Sequence, residues 1–214
     1  MTAIASSSSL TDNPSCSDWI DLSRDAVVVL KTGKVEIGQG ITTALVQIAA
    51  DELDVAPESI ELISGHTALG PLEAGTSSSL SIETGGRAVR LAASAVRAIV
   101  LAEAAKLLQA PPESLAVEQG RIIVSGRETD LTYWSLAPSI DLEAQVLDHA
   151  RPKEPAERRL VGTSMPRIDL KAKAAGAGFI HDIELPGLLH GRVLDPPASG
   201  RRLEAFDEAA LKAA

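Results

Sequence analysis

From residue 87 to 108 (RAVRLAASAVRAIVLAEAAKLL) the apolar positions repeat with helical spacing, Val89, Val96, Ile99 and Val100 lying along one side. Arg90 and Arg97 fall close together on another side, with Arg87 nearby. A second helix is predicted after Gly40, where Leu45, Ile48, Ala49 and Leu53 stand at i, i+3, i+4 and i+8. Thr42 or Thr43 is placed to cap its start. Residues 25–37 (DAVVVLKTGKVEI) read as two strands around a Thr-Gly-Lys turn at 32–34, and VAPESIELIS leads into a strand near 60–64. Residues 114–125 (SLAVEQGRIIVS) form a predicted hairpin across Gln119-Gly120, and TYWSLAPSI (132–140) a short helix or turn. Two further strands are expected within 178–197, around Pro186-Gly187, before an incipient helix at the C-terminus.

LDVAPESIEL (53–62) and LQAPPESLAV (108–117) follow the two main helices, and each carries Pro-Glu-Ser before a strand-like alternation. A helix–turn–strand unit is therefore used twice, which points to a layered α/β or α+β domain in which each helix returns to a sheet. Residues 1–17, Ser-rich at the start, read as a flexible tail. The main domain spans 18–146, a polar linker 147–166, and a second α/β region 167–214. That second region, about 50 residues long, is too small to hold its own core, so the chain reads as unfinished. Residues 65–86 (GHTALGPLEAGTSSSLSIETGG) lack a helical period, and a loop of this length in a compact domain is usually functional or disordered.

Composition narrows the classes. Hydrophobic residues make up 45% and aromatic residues 2%, so the core must be aliphatic and Ala-rich. A net charge of −9 argues against nucleic acid as the partner. Cys16 is the only cysteine, so neither an internal disulfide nor a Cys-ligated iron–sulfur or zinc site can be built. No segment approaches the ~18 apolar residues of a membrane span. The N-terminus lacks a basic n-region, and the twin-arginine pair that a periplasmic route would use is not present, which leaves a cytoplasmic expectation.

Chemistry concentrates in two stretches. Gly38-Gln39-Gly40 sits between a strand and a helix start, where glycines admit a bulky group and the helix N–H groups suit an anionic oxygen. A Gln fixed there could donate its amide N–H. The same spacing also serves a plain strand-to-helix turn. AGTSSSLSIETGG (74–86) could nest a phosphate or be a polar surface loop; it is not a P-loop, since no Gly-Lys-Ser/Thr follows. His66, His149, His181 and His190 show no metal-ligand spacing, although His181 and His190 fall on facing strands of the expected hairpin. No nucleophile elbow and no paired carboxylates are evident, so no catalytic residue emerges from the pattern.

GKVEIGQGITTALVQIAADEL (33–53) resembles the first cofactor-binding loop of molybdenum hydroxylase large subunits, the xanthine dehydrogenase and aldehyde oxidase family. The nearest branch is that of isoquinoline 1-oxidoreductase (beta) and nicotinate dehydrogenase large subunits. PLEAGTSSSLSIETGGRAVR (71–90) resembles that branch's Ser/Gly-rich loop and helix, TYWSLA (132–137) its short helix, and 160–193 the approach to a hammerhead-like α/β domain. The resemblance covers roughly residues 18–214.

The resemblance implies an α+β portion of a molybdopterin-binding domain followed by the start of the hammerhead-like domain. It implies that Gln39 hydrogen-bonds an oxo ligand of molybdenum and that Gly38 and Gly40 admit the pterin. Ser79, Ser81, Gly85 and Gly86 would face the pterin or its dinucleotide tail, which in this branch is the cytosine form. The implied reaction is hydroxylation of an aldehyde or N-heteroaromatic carbon with water-derived oxygen. Electrons would leave through iron–sulfur clusters of a [2Fe–2S] small subunit, with a second chain supplying the remaining large-subunit domains. Three departures stand against this. No residue matches the family's catalytic Glu; Asp195 replaces the usual Arg before Pro-Pro; Ala174-Ala175 replace the usual Val-Thr. The chain alone is therefore expected to be inactive. The alternatives are a truncated remnant without activity and a module binding a phosphorylated small molecule.

Overall fold

A computed structural model describes residues 7–176, 183–193, 195–196 and 198–213. It divides into two units, Met1–Lys171 and Ala172–Ala214. The fold class is α+β.

The first unit opens on a short helix, α1 (Ser9–Asp12), and is organised around a small sheet. Strand β2 (Val28–Thr32) lies in the middle, with β1 (Ile20–Asp21) antiparallel on one side and β3 (Ile60–Ser64) parallel on the other. Parallel neighbours need a crossover, and helix α2 (Ile41–Leu53) provides it. Its predicted apolar face is the one it buries: Leu45, Ile48, Ala49 and Leu53 are all in the core. Helix α3 (Arg87–Leu108) packs on α2 through Ala88, Val89, Ala92, Ala93, Val96 and Val100. So many alanines bring the two helix backbones close, leaving little room for aromatics between them. Trp19 and Tyr133 are the large exceptions, each wholly buried with its polar atom satisfied. Trp19 Nε1 donates to the Asn13 carbonyl (3.0 Å) and Tyr133 Oη to the Leu53 carbonyl (2.8 Å).

A second sheet follows α3. Strands β4 (Leu115–Glu118), β5 (Arg121–Val124) and β6 (Arg127–Thr132) form an antiparallel meander. Gln119 (φ 50°) and Gly120 (φ 75°) turn between the first pair, Ser125 (φ 49°) and Gly126 (φ 78°) between the second. Two consecutive positive φ angles match the twist of a hairpin. The polar β6 (RETDLT) has no sequence signature of a strand; its position comes from the second turn. Helix α4 (Tyr133–Leu136) then carries Tyr133 back beneath α2.

Three expectations changed. Residues 7–17 do not behave as a tail: Leu10 and Cys16 are core residues, and the backbone is threaded against 142–146. Cys16 N donates to the Ala144 carbonyl (3.0 Å) and Val146 N to the Pro14 carbonyl (2.8 Å). Two apolar anchors, Leu10 and Trp19, outweigh the polar residues between them. Burial, helped by the charges of Asp141 and Asp18, pushes the Cys16 thiol up to about 12, so it is an inert core residue. The second strand expected at 33–37 does not form, because Thr32 and Gly33 turn onto the Glu73 carboxylate. Residues 150–163 are bound to α2 rather than lying free. Asp51 Oδ1 accepts from Arg159 N and Leu160 N (2.8 Å each), and Gln47 Nε2 donates to the Leu160 carbonyl (2.7 Å).

In the second unit the strands expected within 178–197 fall partly outside the described residues, and 183–193 form none. His181 lies outside as well, while His190 is exposed. Pro186-Gly187 does make a turn, with Leu188 N donating to the Leu185 carbonyl (3.0 Å) and Gly187 at φ 78°. The expected C-terminal helix is present at Glu208–Ala213.

Candidate functional site

The Gly38-Gln39-Gly40 loop is shaped by two side chains working in opposite directions. Gln39 folds back on its own loop: Nε2 donates to the Val35 carbonyl (3.1 Å), and Oε1 accepts from Ile37 N (2.7 Å). Glu36 reaches forward. Its Oε1 accepts from Gly38 N (2.8 Å) and Gly40 N (2.9 Å), and its Oε2 from Thr42 Oγ1 (3.1 Å) and Thr42 N (3.4 Å). Gly38 (φ 107°) and Gly40 (φ 80°) take up backbone angles that other residues rarely adopt.

The threonine cap expected from sequence is replaced by this carboxylate. Thr42 Oγ1 is a donor to Glu36, and Thr43 Oγ1 accepts from Ile168 N (3.1 Å). The Gly40 and Thr42 N–H groups at this helix start are thus already occupied by a negative group of the chain itself. Arg167 adds a tether from the end of the unit, donating from Nη1 to the Gly38 carbonyl (2.9 Å) and gripping Asp169 through Nε (3.0 Å) and Nη2 (2.7 Å).

Facing this loop is the tip of the Ser-rich segment. Ile37, Gln39, Gly40, Ile41 and Ala44 on one side and Thr76, Ser77, Ser78, Ser79, Ser81 and Ile82 on the other enclose a cleft of about 490 Å³. Ser78 (φ 52°) and Ser79 (φ 60°) are both left-handed. Among the described residues the hydroxyls of Ser77, Ser78, Ser79 and Ser81 have no protein partner. The Gln39 amide has two hydrogens and spends one on Val35, so one N–H remains for the cleft. Gly38 borders open space.

Gly85 and Gly86 are placed differently. They belong to a π-helical turn (Ser81–Gly86) leading into α3, and both are buried. A Cβ on Gly85 would lie 3.0 Å from Glu73 Oε1 and 3.1 Å from Lys34 Cε, so this glycine makes room for a buried ion pair. Lys34 and Glu73 have no exposed side-chain surface. Glu73 accepts from Ser9 Oγ (2.9 Å), Thr32 Oγ1 (2.8 Å) and Gly33 N (2.8 Å), while Lys34 Nζ donates to the Ala74 carbonyl (2.6 Å). This knot anchors the base of the Ser-rich loop to the end of β2. Sequence reasoning missed Glu36, Glu73 and Arg167. For Glu36 a signal existed, an acidic residue just ahead of a Gly-x-Gly helix start; the other two act across long sequence separations.

A larger cleft, about 680 Å³, lies between α3 and 151–159, lined by Arg97, Arg151, Lys153 and Arg159 among others. Two of these cations are held by one carboxylate: Asp54 takes Lys153 (2.5 Å) and Arg97 (3.7 Å). The smaller cleft, with its unspent donors, is the stronger candidate for a ligand.

Residues 1–162 match the family described as the molybdopterin cofactor-binding domain. A nicotinate dehydrogenase subunit of Pseudomonas putida is 37% identical over 183 residues, which is 85% of this chain and 15% of that protein. The beta subunit of isoquinoline 1-oxidoreductase from Brevundimonas diminuta is 25% identical over 234 aligned positions, covering 91% of this chain and 30% of that protein. A crystal structure of a Cu,Mo-CO dehydrogenase aligns over 56% of this chain and 15% of its own, at 30% identity and a TM-score of 0.46. The chain therefore spans about a sixth of the length of the first of these relatives. Among the described residues no helix is long and apolar enough to cross a membrane. On the span of that match and the identity it shares with these subunits, the chain belongs to the molybdopterin cofactor-binding domain family.

Proposed function

We propose that the first unit forms one wall of a molybdopterin site in a molybdenum hydroxylase large subunit, acting on aldehydes or N-heteroaromatic compounds. The observation that carries this reading is the Gln39 amide, anchored to its loop at both ends yet with one N–H unspent beside the cleft. The cleft fits such a cofactor. It offers an amide donor and four unengaged hydroxyls, and among the described residues no Cys, His, Asp or Glu that would compete for the metal lines it. When bound, the cofactor supplies the oxidising centre for hydroxylation with water-derived oxygen. Gln39 orients the cofactor's polar end through that N–H. Ser77, Ser79 and Ser81 hold the pterin or the phosphates of a cytosine dinucleotide tail. Ile37 and Ile82 contribute exposed apolar surface to the walls of the cleft.

The rest of the assembly follows from the same reading: a [2Fe–2S] small subunit for electron exit and a cytoplasmic location. The alternative, a free-standing phosphate-binding module, is disfavoured by Glu36, whose carboxylate already fills the α2 N-terminus. In a complex reconstituted with the complementary large-subunit portion and the small subunit, Gln39→Ala should lower kcat by roughly 10²-fold, the scale of one lost donor at a reacting centre. Turnover should be measured with an artificial electron acceptor and the thermal midpoint in parallel; unchanged turnover in a folded complex removes Gln39 from the site.

A further inference from the structure

Gly38 and Gly40 are the freest kind of residue in the chain, and they flank Gln39 on both sides. Left to themselves they would let the amide swing. We propose that Glu36 is a positioning residue that fixes the direction of the Gln39 amide by clamping the peptides on either side of it, with Arg167 as the second tether. The proposal rests on the role given to Gln39 above.

The geometry separates this role from ordinary helix capping. A capping carboxylate serves the first N–H groups of its helix, and the bonds to Gly40 and Thr42 do that. The bond from Gly38 N to Glu36 Oε1 (2.8 Å) does not, because Gly38 lies outside α2. One oxygen thus binds the N–H groups on both sides of Gln39. Arg167 completes the clamp: its Nη1 holds the Gly38 carbonyl (2.9 Å), so the Gly38 residue is fixed at both its N–H and its C=O. Its Nη2 stands 3.5 Å from Glu36 Oε1 and 2.7 Å from Asp169 Oδ2. Gln39 closes the ring by bonding the two residues next to Glu36, Val35 and Ile37. Each side chain therefore holds the backbone of the other.

Titration supports the arrangement. Partial burial opposes ionisation of Glu36, but donation from Gly40 N, Gly38 N and Thr42 outweighs it and holds the carboxyl below its ordinary range. The charged groups facing it are Arg167 and, beyond it, Asp169. A depressed pKa means the clamp is complete above the ordinary glutamate range. It is lost as pH falls through the lower, folded-state value.

The test uses NMR of the full chain without cofactor. The Gly38 and Gly40 amide resonances should titrate together, with one midpoint below the ordinary glutamate value of about 4.3. Glu36→Gln should abolish that titration and raise hydrogen exchange at Gly38 by at least about tenfold, the Gln39 side-chain NH₂ signals shifting with it. Arg167→Ala should loosen Gly38 while Thr42 stays protected, a pattern that loss of a helix cap would not give. Independent titration of the two glycines, or a titration that survives in Glu36→Gln, overturns the proposal. The wild-type titration decides even where a variant fails to fold. Because this readout needs no cofactor, its failure is distinct from failure of the Gln39→Ala turnover test. In the reconstituted complex, Glu36→Gln should cost no further activity once Gln39 is alanine.

Discussion

Glu73→Ala is expected to lower the unfolding free energy by about 3–5 kcal/mol, the usual cost of removing one partner from a buried ion pair. The variant leaves Lys34, with no exposed side-chain surface, facing only the Ala74 and Gly75 carbonyls. It also orphans Ser9 Oγ, Thr32 Oγ1 and Gly33 N, the three donors from which Glu73 now accepts. The Gly33 backbone is closely packed here, since a Cβ on it would lie 2.7 Å from the Pro71 carbonyl oxygen. A chemical-denaturation curve at neutral pH measures the loss, and a thermal scan should show a fall on the order of 10 °C. A control separates charge from shape. The double variant Lys34→Met/Glu73→Leu should be more stable than either single change, since a matched apolar pair leaves no buried charge. A double variant as unstable as Glu73→Ala would show that the hydroxyl and backbone bonds, not the charges, hold the knot. The Ser-rich wall of the cleft hangs from this point, so amide exchange at Thr76 and Ser77 should rise in the single variant.

The second large effect belongs to Glu52. Its side chain is fully buried between α2, α3 and the 150–163 segment, with Arg90 Nη1 at 3.2 Å and Arg97 Nη2 at 3.6 Å. Oε2 also accepts from Lys153 N (3.1 Å). Glu52→Ala leaves Arg90, whose side chain is only 17% exposed, without its carboxylate and takes one of two from Arg97, which keeps Asp54 and the Arg151 carbonyl; it should cost about 3 kcal/mol. Glu52→Gln, which retains an acceptor for Lys153 N, should cost less. Limited proteolysis reports the local consequence: cleavage between Lys153 and Arg159 should accelerate in the alanine variant, because only the Asp51 and Asp54 bonds would still hold that stretch. Equal proteolysis of wild type and variant would mean that Glu52 serves the helices alone.

These hubs mark the limit of what the sequence displays. Helix α3 is legible over its whole length because an Ala/Val-rich repeat must bury one side. Helix α2 is legible from the glycine ahead of it and its i, i+3, i+4 spacing. The Gln119-Gly120 hairpin is written in its turn residues. Gln39, Gly40, Ser79 and Ser81, which motif and resemblance single out, all line one cleft. Gly85 and Gly86 sit next to them in sequence but face inward, since a glycine serving close packing and one serving a ligand look alike in one dimension. Glu73 bonds residues 9, 32 and 33, and Asp51 bonds residues 159 and 160. Carboxylate-to-backbone bonds across such separations leave no periodicity to read, and for that reason residues 7–17 and 147–163 resemble a tail and a linker when only their composition is considered.

The twin Pro-Glu-Ser corners carry a separate lesson. Both helices end on a left-handed residue, Asp54 (φ 53°) and Gln109 (φ 50°). In each case the next amide reaches back five residues, Val55 N to the Ala50 carbonyl (3.2 Å) and Ala110 N to the Ala105 carbonyl (3.1 Å). Both then make one 3₁₀ turn and release a strand. Yet the strand after the first corner joins a parallel partner and the strand after the second an antiparallel one. The Pro-Glu-Ser corner is a steering instruction with no destination attached. Evolution or a designer can copy it between helices, and the neighbours waiting downstream decide which sheet is built.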